Sequence, residues 1–142
     1  MMILTANEND HAELIEIWES SVRATHDFLP SSAIDELKPL ILNQYFQHVR
    51  LDKYMINDKI LGFLGTSSDN IEMLFIRPEA RGKGIGRALI DFATTQLHIH
   101  KVDVNEQNPQ AIGFYLKMGF QVVARSALDG QGQPYPLLHM QK

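Results

Sequence analysis

The sequence predicts a mixed α/β domain of about seven strands and four helices, with one central pair of strands running parallel. Three observations predict it. Ile71–Ile76 is an almost unbroken apolar run, the mark of a strand covered on both faces. That run leads into a glycine loop, a helical stretch and a further strand at Lys101–Asn105, an order that requires a right-handed crossover between parallel neighbours. Short apolar segments on either side, one pair of them joined by Asn57-Asp58-Lys59, read as hairpin partners and therefore as antiparallel additions.

Each element follows from local pattern. Residues 2–5 form a first strand. Asn7 to Asp10 is a cluster of capping residues, and Asp10 with Glu13 has capping-box spacing. Leu14, Ile15, Ile17, Trp18 and Val22 then recur at helical intervals, giving a helix to about Thr25. Asp27-Phe28-Leu29-Pro30 breaks it. Ser31 and Ser32 are caps for a second helix carrying Ile34, Leu37, Leu40, Ile41 and Phe46, with Pro39 expected to split or kink it. Strands at 54–56 and 60–64 flank the hairpin turn, and 67–70 is another turn before the central strand. Residues 84–97 form a helix behind the glycine loop. Val102 and Val104 share one face of the following strand. Asn108-Pro109 opens a helix to about Met118, with proline at its first turn and Gly119 as its cap. Segments 120–124 and 135–140 close the sheet.

Bulk composition narrows the function classes. A chain of 142 residues suits one domain, 1–142, and buries roughly two thirds of its unfolded surface. A net charge of −4 argues against a general nucleic-acid surface. The absence of cysteine removes disulfides, thiolate nucleophiles and cysteine-based zinc sites, and it fits a cytoplasmic protein. No apolar run approaches the ~20 residues of a membrane span, and the N-terminal residues lack the pattern of a signal peptide.

Against this acidic background the segment 77–87 stands out. Gly82, Gly84 and Gly86 alternate at the start of a helix, among Arg77, Arg81, Lys83 and Arg87, with Glu79 the one nearby acid. Glycines let a ligand approach the backbone, and a helix start offers unpaired N–H groups and the positive end of a dipole. A tight turn with a solvated basic rim has the same residues. Three alternating glycines plus the cations favour a pocket for a polyanion such as a pyrophosphate.

A second motif follows, Asn108-Pro-Gln-Ala-Ile-Gly-Phe-Tyr-Leu-Lys-Met-Gly-Phe120. Together with Arg81-Gly-Lys-Gly84-Ile-Gly86 it resembles the GNAT superfamily of acyl-CoA-dependent N-acyltransferases, whose loop reads Gln/Arg-x-x-Gly-x-Gly/Ala. Element order agrees over most of the chain, while the first third agrees in layout only. The resemblance implies a mostly antiparallel seven-stranded sheet with a central splayed parallel pair, and acetyl-CoA as co-substrate. It implies that main-chain N–H groups of Gly82, Lys83, Gly84, Ile85, Gly86 and Arg87, with Arg81 beside them, hold the pyrophosphate. The pantetheine arm would pair with exposed backbone of Leu74, Phe75 and Ile76 in the gap between strands. Tyr115 would be the general acid for the departing thiolate; by helical spacing alone, with Ala111 and Phe114, it reads instead as a core aromatic. Asn108 is a helix cap by sequence and a pantetheine ligand by resemblance, and Asn105 is a further candidate for orienting the arm or Tyr115.

For the base, Glu72 is the first choice and His26 the second. Glu72 lies on the strand beside the expected thioester, where it also reads as a plain solvent-facing acid. His26, in Ala24-Thr-His-Asp-Phe-Leu29, sits where a substrate-side group is expected, yet a histidine after a helix also caps its C-terminus. Asp27 shares that ambiguity, and Asp27, Asp35 and Glu36 either attract a cationic amine or form a solvated face. The expectation is an enzyme that moves acetyl from acetyl-CoA to a primary amine, on a small molecule or a peptide, in a ternary complex and as a monomer or homodimer. A non-catalytic acyl-CoA-binding module on the same fold is the rival. No P-loop or Gly-x-Ser-x-Gly elbow occurs. A dinucleotide site fails because position 87 is arginine rather than the third glycine, although Asp103 lies about 20 residues beyond Gly82. His98 and His100 lack a third ligand, so no metal is expected.

Overall fold

The computed structural model describes residues 2–142. Seven strands form one sheet in the order β1-β2-β3-β4-β5-β7-β6. They are β1 (Met2–Thr5), β2 (Arg50–Ile56), β3 (Lys59–Thr66), β4 (Ile71–Ile76), β5 (Lys101–Asn105), β6 (Gln121–Ser126) and β7 (Leu137–Gln141). Every neighbouring pair is antiparallel except β4–β5. Four α-helices cover the faces: α1 (His11–Thr25), α2 (Ser31–Asn43), α3 (Ile85–Thr95) and α4 (Pro109–Lys117). The expected sheet, its parallel pair and the helix count are all present. No helix among the described residues is long and apolar enough to cross a membrane.

Two cores sandwich the sheet. Under α3 and α4 lie Leu64, Ile71, Leu89, Ile90, Val102, Val104, Tyr115, Phe120 and Met140. Under α1 and α2 lie Leu14, Ile17, Trp18, Ile34, Leu51, Phe63 and Met73. All five apolar positions read from the period of α1 are buried. The β2–β3 turn is a two-residue loop with both Asn57 (φ 52°) and Asp58 (φ 64°) left-handed, which matches the twist of a tight hairpin.

Several boundaries differ from expectation. The capping box lies one turn earlier, with Asn7 as N-cap and Asp10 closing it, and it starts a 3-10 turn that runs into α1. Neither Ser31 nor Ser32 caps α2; Pro30 occupies the cap, and Ser31 Oγ instead accepts from Arg23 at 2.9 Å. Pro39 leaves α2 continuous, its missing bond falling on the exposed side. Phe46 is buried from a 3-10 turn after the helix rather than from α2 itself. Strand β2 begins at Arg50, which pairs with Thr66 of β3, and the Arg50 guanidinium bonds Asp52 at 3.0 and 3.2 Å, allowing that carboxylate to be fully buried mid-strand.

Candidate active site

Strands β4 and β5 touch at only one registered position, Ile71 opposite Val102, and diverge beyond it. On its other side β4 pairs with β3 as far as Ile76, and Arg77 N–H donates to Leu61 O at 2.8 Å. Antiparallel hydrogen-bonded pairs alternate, so Phe75 and Met73 bond toward β3 while the N–H and C=O of Leu74 and Ile76 face the split. Those groups need partners that the sheet does not provide. The split continues into a cleft of about 320 Å³.

The cleft is closed at one end by the glycine loop. Gly82 (φ 76°) and Gly84 (φ 82°) are left-handed, and Gly84 is the N-cap of α3 with no side chain to satisfy the N–H groups that follow. A left-handed residue leading directly into a helix, as Gly84 leads into Ile85, turns successive N–H groups into a concavity suited to an anion. A Cβ built at Gly82 or Gly84 meets nothing within 4 Å, so the surface above them is open. At Gly86 a Cβ would come 3.3 Å from Phe114 Cζ, so this glycine serves helix packing against α4. Arg81, Ile85 and Arg87 line the cleft beside the glycines, as do Leu74, Phe75 and Ile76. Lys83 is exposed on the loop and outside the cleft lining. Arg77 is not part of the basic rim: its guanidinium binds Ile60 O at 2.6 Å and Glu13 at 3.0 Å, tying β4 to β3 and α1.

At the other end the reactive candidates gather. His26, Glu72, Asn105, Asn108 and Tyr115 all border the split itself. Tyr115 rises from α4, 6% exposed, with its ring edge-on to Phe114 and Phe120. Burial pushes its phenol far above the ordinary range, so it keeps its proton. His26 approaches from the opposite face as the C-cap of α1. Burial, reinforced by Arg81 and opposed by Asp27, lowers its imidazole below the ordinary value.

The hydrogen bonds fix the state of that imidazole. Thr25 Oγ1 donates to Ser21 O at 2.8 Å, leaving its lone pairs for His26 Nδ1, also at 2.8 Å. Nδ1 therefore carries the proton and Nε2 is bare. Asn108 Oδ1 caps α4 by accepting Ala111 N–H at 3.2 Å, which turns its Nδ2 toward His26 Nε2 at 3.5 Å. Glu72 is exposed, and its Oε1 accepts from Ser67 Oγ (2.9 Å) and Asn70 Nδ2 (3.1 Å). Asn105 Oδ1 is occupied by Gln107 N–H at 2.8 Å. Asp35 bonds Arg23 at 2.7 Å and so belongs to the helix surface.

Sequence reasoning overlooked Thr25 and Ser21, whose four-residue spacing on α1 was the available signal, and Gln110, which meets Arg81 at 3.5 Å. It also overlooked the aromatic chain His26–Phe28–Tyr135, with centroids 5.2 and 6.4 Å apart, which ties the α1–α2 loop to the β6–β7 loop. That contact joins residues more than a hundred positions apart and has no local signature.

Known proteins match this arrangement. The family description "Acetyltransferase (GNAT) domain" fits residues 22–142. The peptidyl-lysine N-acetyltransferase YjaB of Salmonella typhimurium is 40% identical over 142 residues, covering 98% of each chain. The solution structure of apo YjaB from Escherichia coli superposes with a TM-score of 0.88 at 39% identity, covering 99% of this chain and 95% of that one. The PaiA N-acetyltransferase of Thermoplasma acidophilum, solved with coenzyme A, gives a TM-score of 0.78 at 20% identity over 100% and 99% of the two chains, a likeness of fold.

Proposed function

Since the chain belongs to the GNAT acetyltransferase family, we propose that it transfers acetyl from acetyl-CoA directly to a primary amine in a ternary complex. The observation that carries this reading is the convergence of a proton-holding Tyr115 and a neutral His26 on one split, from opposite faces of the sheet. The residues present suit the co-substrate. An open left-handed glycine cradle with Arg81 and Arg87 fits a diphosphate, and the unpaired edge of Leu74 and Ile76 fits the amides of a pantetheine arm. Bound there, acetyl-CoA supplies an acyl thioester.

The chain's own groups then have distinct tasks. A lysine-like amine titrates near ~10.4 and must lose a proton before attack. His26 Nε2 takes that proton, directly or through water, with Thr25 holding the tautomer. The main-chain N–H of Leu74 polarises the carbonyl from the β4 edge. Tyr115 O–H donates to the leaving sulfur. Asn108 and Asn105 line the arm's path, with Asn108 holding α4 and His26 in one frame. Glu72 attracts the incoming ammonium at the closed end of the split, and its fixed Oε1 makes it the second candidate base. The acceptor class follows from relatives at 39–40% identity named as peptidyl-lysine N-acetyltransferases: a lysine side chain on a peptide is the first acceptor to try.

The test is free-CoA release over a panel of lysine peptides, N-terminal amines and small amines, beside calorimetry with acetyl-CoA. Amine-dependent release is expected. Saturable binding with no amine-dependent release would mark a non-catalytic acyl-CoA module instead. Absence of binding by well-folded protein would remove the cofactor assignment altogether.

A further inference from the structure

A second cluster of reactive side chains lies across β5, β7 and β6. Val102 and Val104 of β5, and Leu138 and Met140 of β7, turn into the core beneath α3 and α4. Strand alternation therefore sends Asp103 and His139 to the opposite face. The two are cross-strand partners, and His139 Nδ1 lies 2.6 Å from Asp103 Oδ1. On the far side of the same ring, Nε2 lies 2.6 Å from Ser126 Oγ. Ser126 points this way because of a bulge. Val122 pairs with Met140, but Ala124 pairs with His139 and Ser126 with Leu137, so Val123 is an extra residue. Without it the end of β6 would present its other face, and Arg125 would stand where Ser126 stands. The core beneath α1 and α2 draws residues from β2, β3 and β4 and, among the described residues, none from β5, β6 or β7. Asp103 and His139 remain 39% and 33% exposed at the side chain, so small molecules reach the cluster.

We propose that Ser126, His139 and Asp103 form a second reactive site, in which Ser126 is a nucleophile acylated by small activated carboxylic esters. The connectivity is that of a base-activated hydroxyl whose base is oriented by a carboxylate. Asp103 accepts the Nδ1–H and fixes the tautomer. His139 Nε2 takes the Ser126 proton as Oγ bonds to the acyl carbon, and the ester C–O bond breaks as that proton passes to the departing oxygen. Water reverses the path: its proton goes to Nε2, its oxygen joins the acyl carbon, and Ser126 leaves with the proton restored. The products are a carboxylic acid and an alcohol. The site lies on an open sheet face, so acylation of Ser126 is the event to measure.

The experiment treats the full chain with p-nitrophenyl acetate, follows nitrophenolate release, and locates the acetyl group by peptide mass spectrometry. The expected result is a stoichiometric burst with the label on Ser126, lost in Ser126→Ala and slowed about a hundredfold in His139→Gln. Asp103→Asn should slow the burst about tenfold or more, because the imidazole loses its orientation. Label confined to lysines or histidines in the wild-type chain overturns the proposal, as does a burst that survives in Ser126→Ala. The wild-type label position decides the matter even where a variant folds poorly. No acetyl-CoA is present, so the outcome is independent of the acetyltransferase reading.

Discussion

Tyr115 and His26 are a pair of titratable groups pushed in opposite senses by one cause. Burial raises the phenol, which stays protonated, and lowers the imidazole, which stays neutral. The acid and base roles proposed for them rest on that separation. Tyr115→Phe keeps the ring packing against Phe114 and Phe120 while deleting the O–H. We predict a fall in kcat of about ten- to a thousandfold with acetyl-CoA affinity unchanged, read by steady-state kinetics and calorimetry. An unaltered kcat would remove Tyr115 from proton transfer. For His26 the sign of the pH dependence is fixed. Its folded pKa lies below its unfolded value of about 6.5, so the unfolded chain gains the proton first as pH falls. The stabilising contribution is complete above about pH 6.5 and is lost as pH drops through the folded pKa. Thermal melts from pH 7.5 down to 5 should therefore show a steeper loss in wild type than in His26→Gln. In the same window kcat/KM should fall in wild type, while the variant, already slow, should lack that step. Parallel profiles in the two proteins would move the base to Glu72.

The binding proposed for the loop before α3 rests on conformation more than on side chains. Gly84→Asp forces a side chain into a left-handed position and sets a carboxylate over the N–H concavity. Acetyl-CoA binding should vanish in calorimetry, and intact affinity would place the diphosphate elsewhere. Gly62 on β3 backs the stretch of β4 that borders the split. A Cβ there would meet Ile76 Cδ1 at 2.7 Å and Phe75 O at 2.9 Å. The first can swing away but the second is backbone, so Gly62→Ala should lower stability by about 1–3 kcal/mol in a denaturant titration. This loop and the α1 stripe were legible in the sequence because each is local: a period of 3.6, or three alternate glycines before a helix. What escaped reading was long-range or degenerate. Asn7/Asp10 and Asp10/Glu13 share the same spacing, and only the intervening 3-10 turn decides between them. The charges at the start of β2 masked a strand that buries Asp52 against Arg50. Arg77 belongs by sequence to the basic loop and by structure to Glu13 and Ile60. The Val123 bulge, which sets the direction of Ser126, leaves no compositional trace.

At the scale of the whole molecule, the sheet is continuous everywhere except at its centre. Only Ile71–Val102 bridges the β1–β4 half to the β5–β6–β7 half by strand register; the rest of the link is packing beneath α3 and α4 together with side-chain contacts such as Asn108–His26, Phe28–Tyr135 and Lys101–Asp69. The proposed co-substrate would fill that discontinuity, joining the β4 edge to the start of α3 and to α4. A ligand that binds only the folded chain adds RT ln(1 + [L]/Kd), about 2.7 kcal/mol at a hundredfold excess over Kd. For a chain of 142 residues each kcal/mol moves the melting midpoint by about 3 °C, so saturating acetyl-CoA should raise it by about 8 °C. Free CoA should give most of that shift if the diphosphate and pantetheine contacts dominate, whereas a short acetyl thioester lacking the nucleotide should give little. Gly84→Asp should abolish the shift, and Tyr115→Phe should retain it. Hydrogen exchange adds location to magnitude: protection on binding should concentrate in β4, the 81–87 loop and the first turn of α4. A midpoint unmoved by millimolar acetyl-CoA would mean that the split is closed to the thioester, and with it the route by which this fold would perform acetyl transfer.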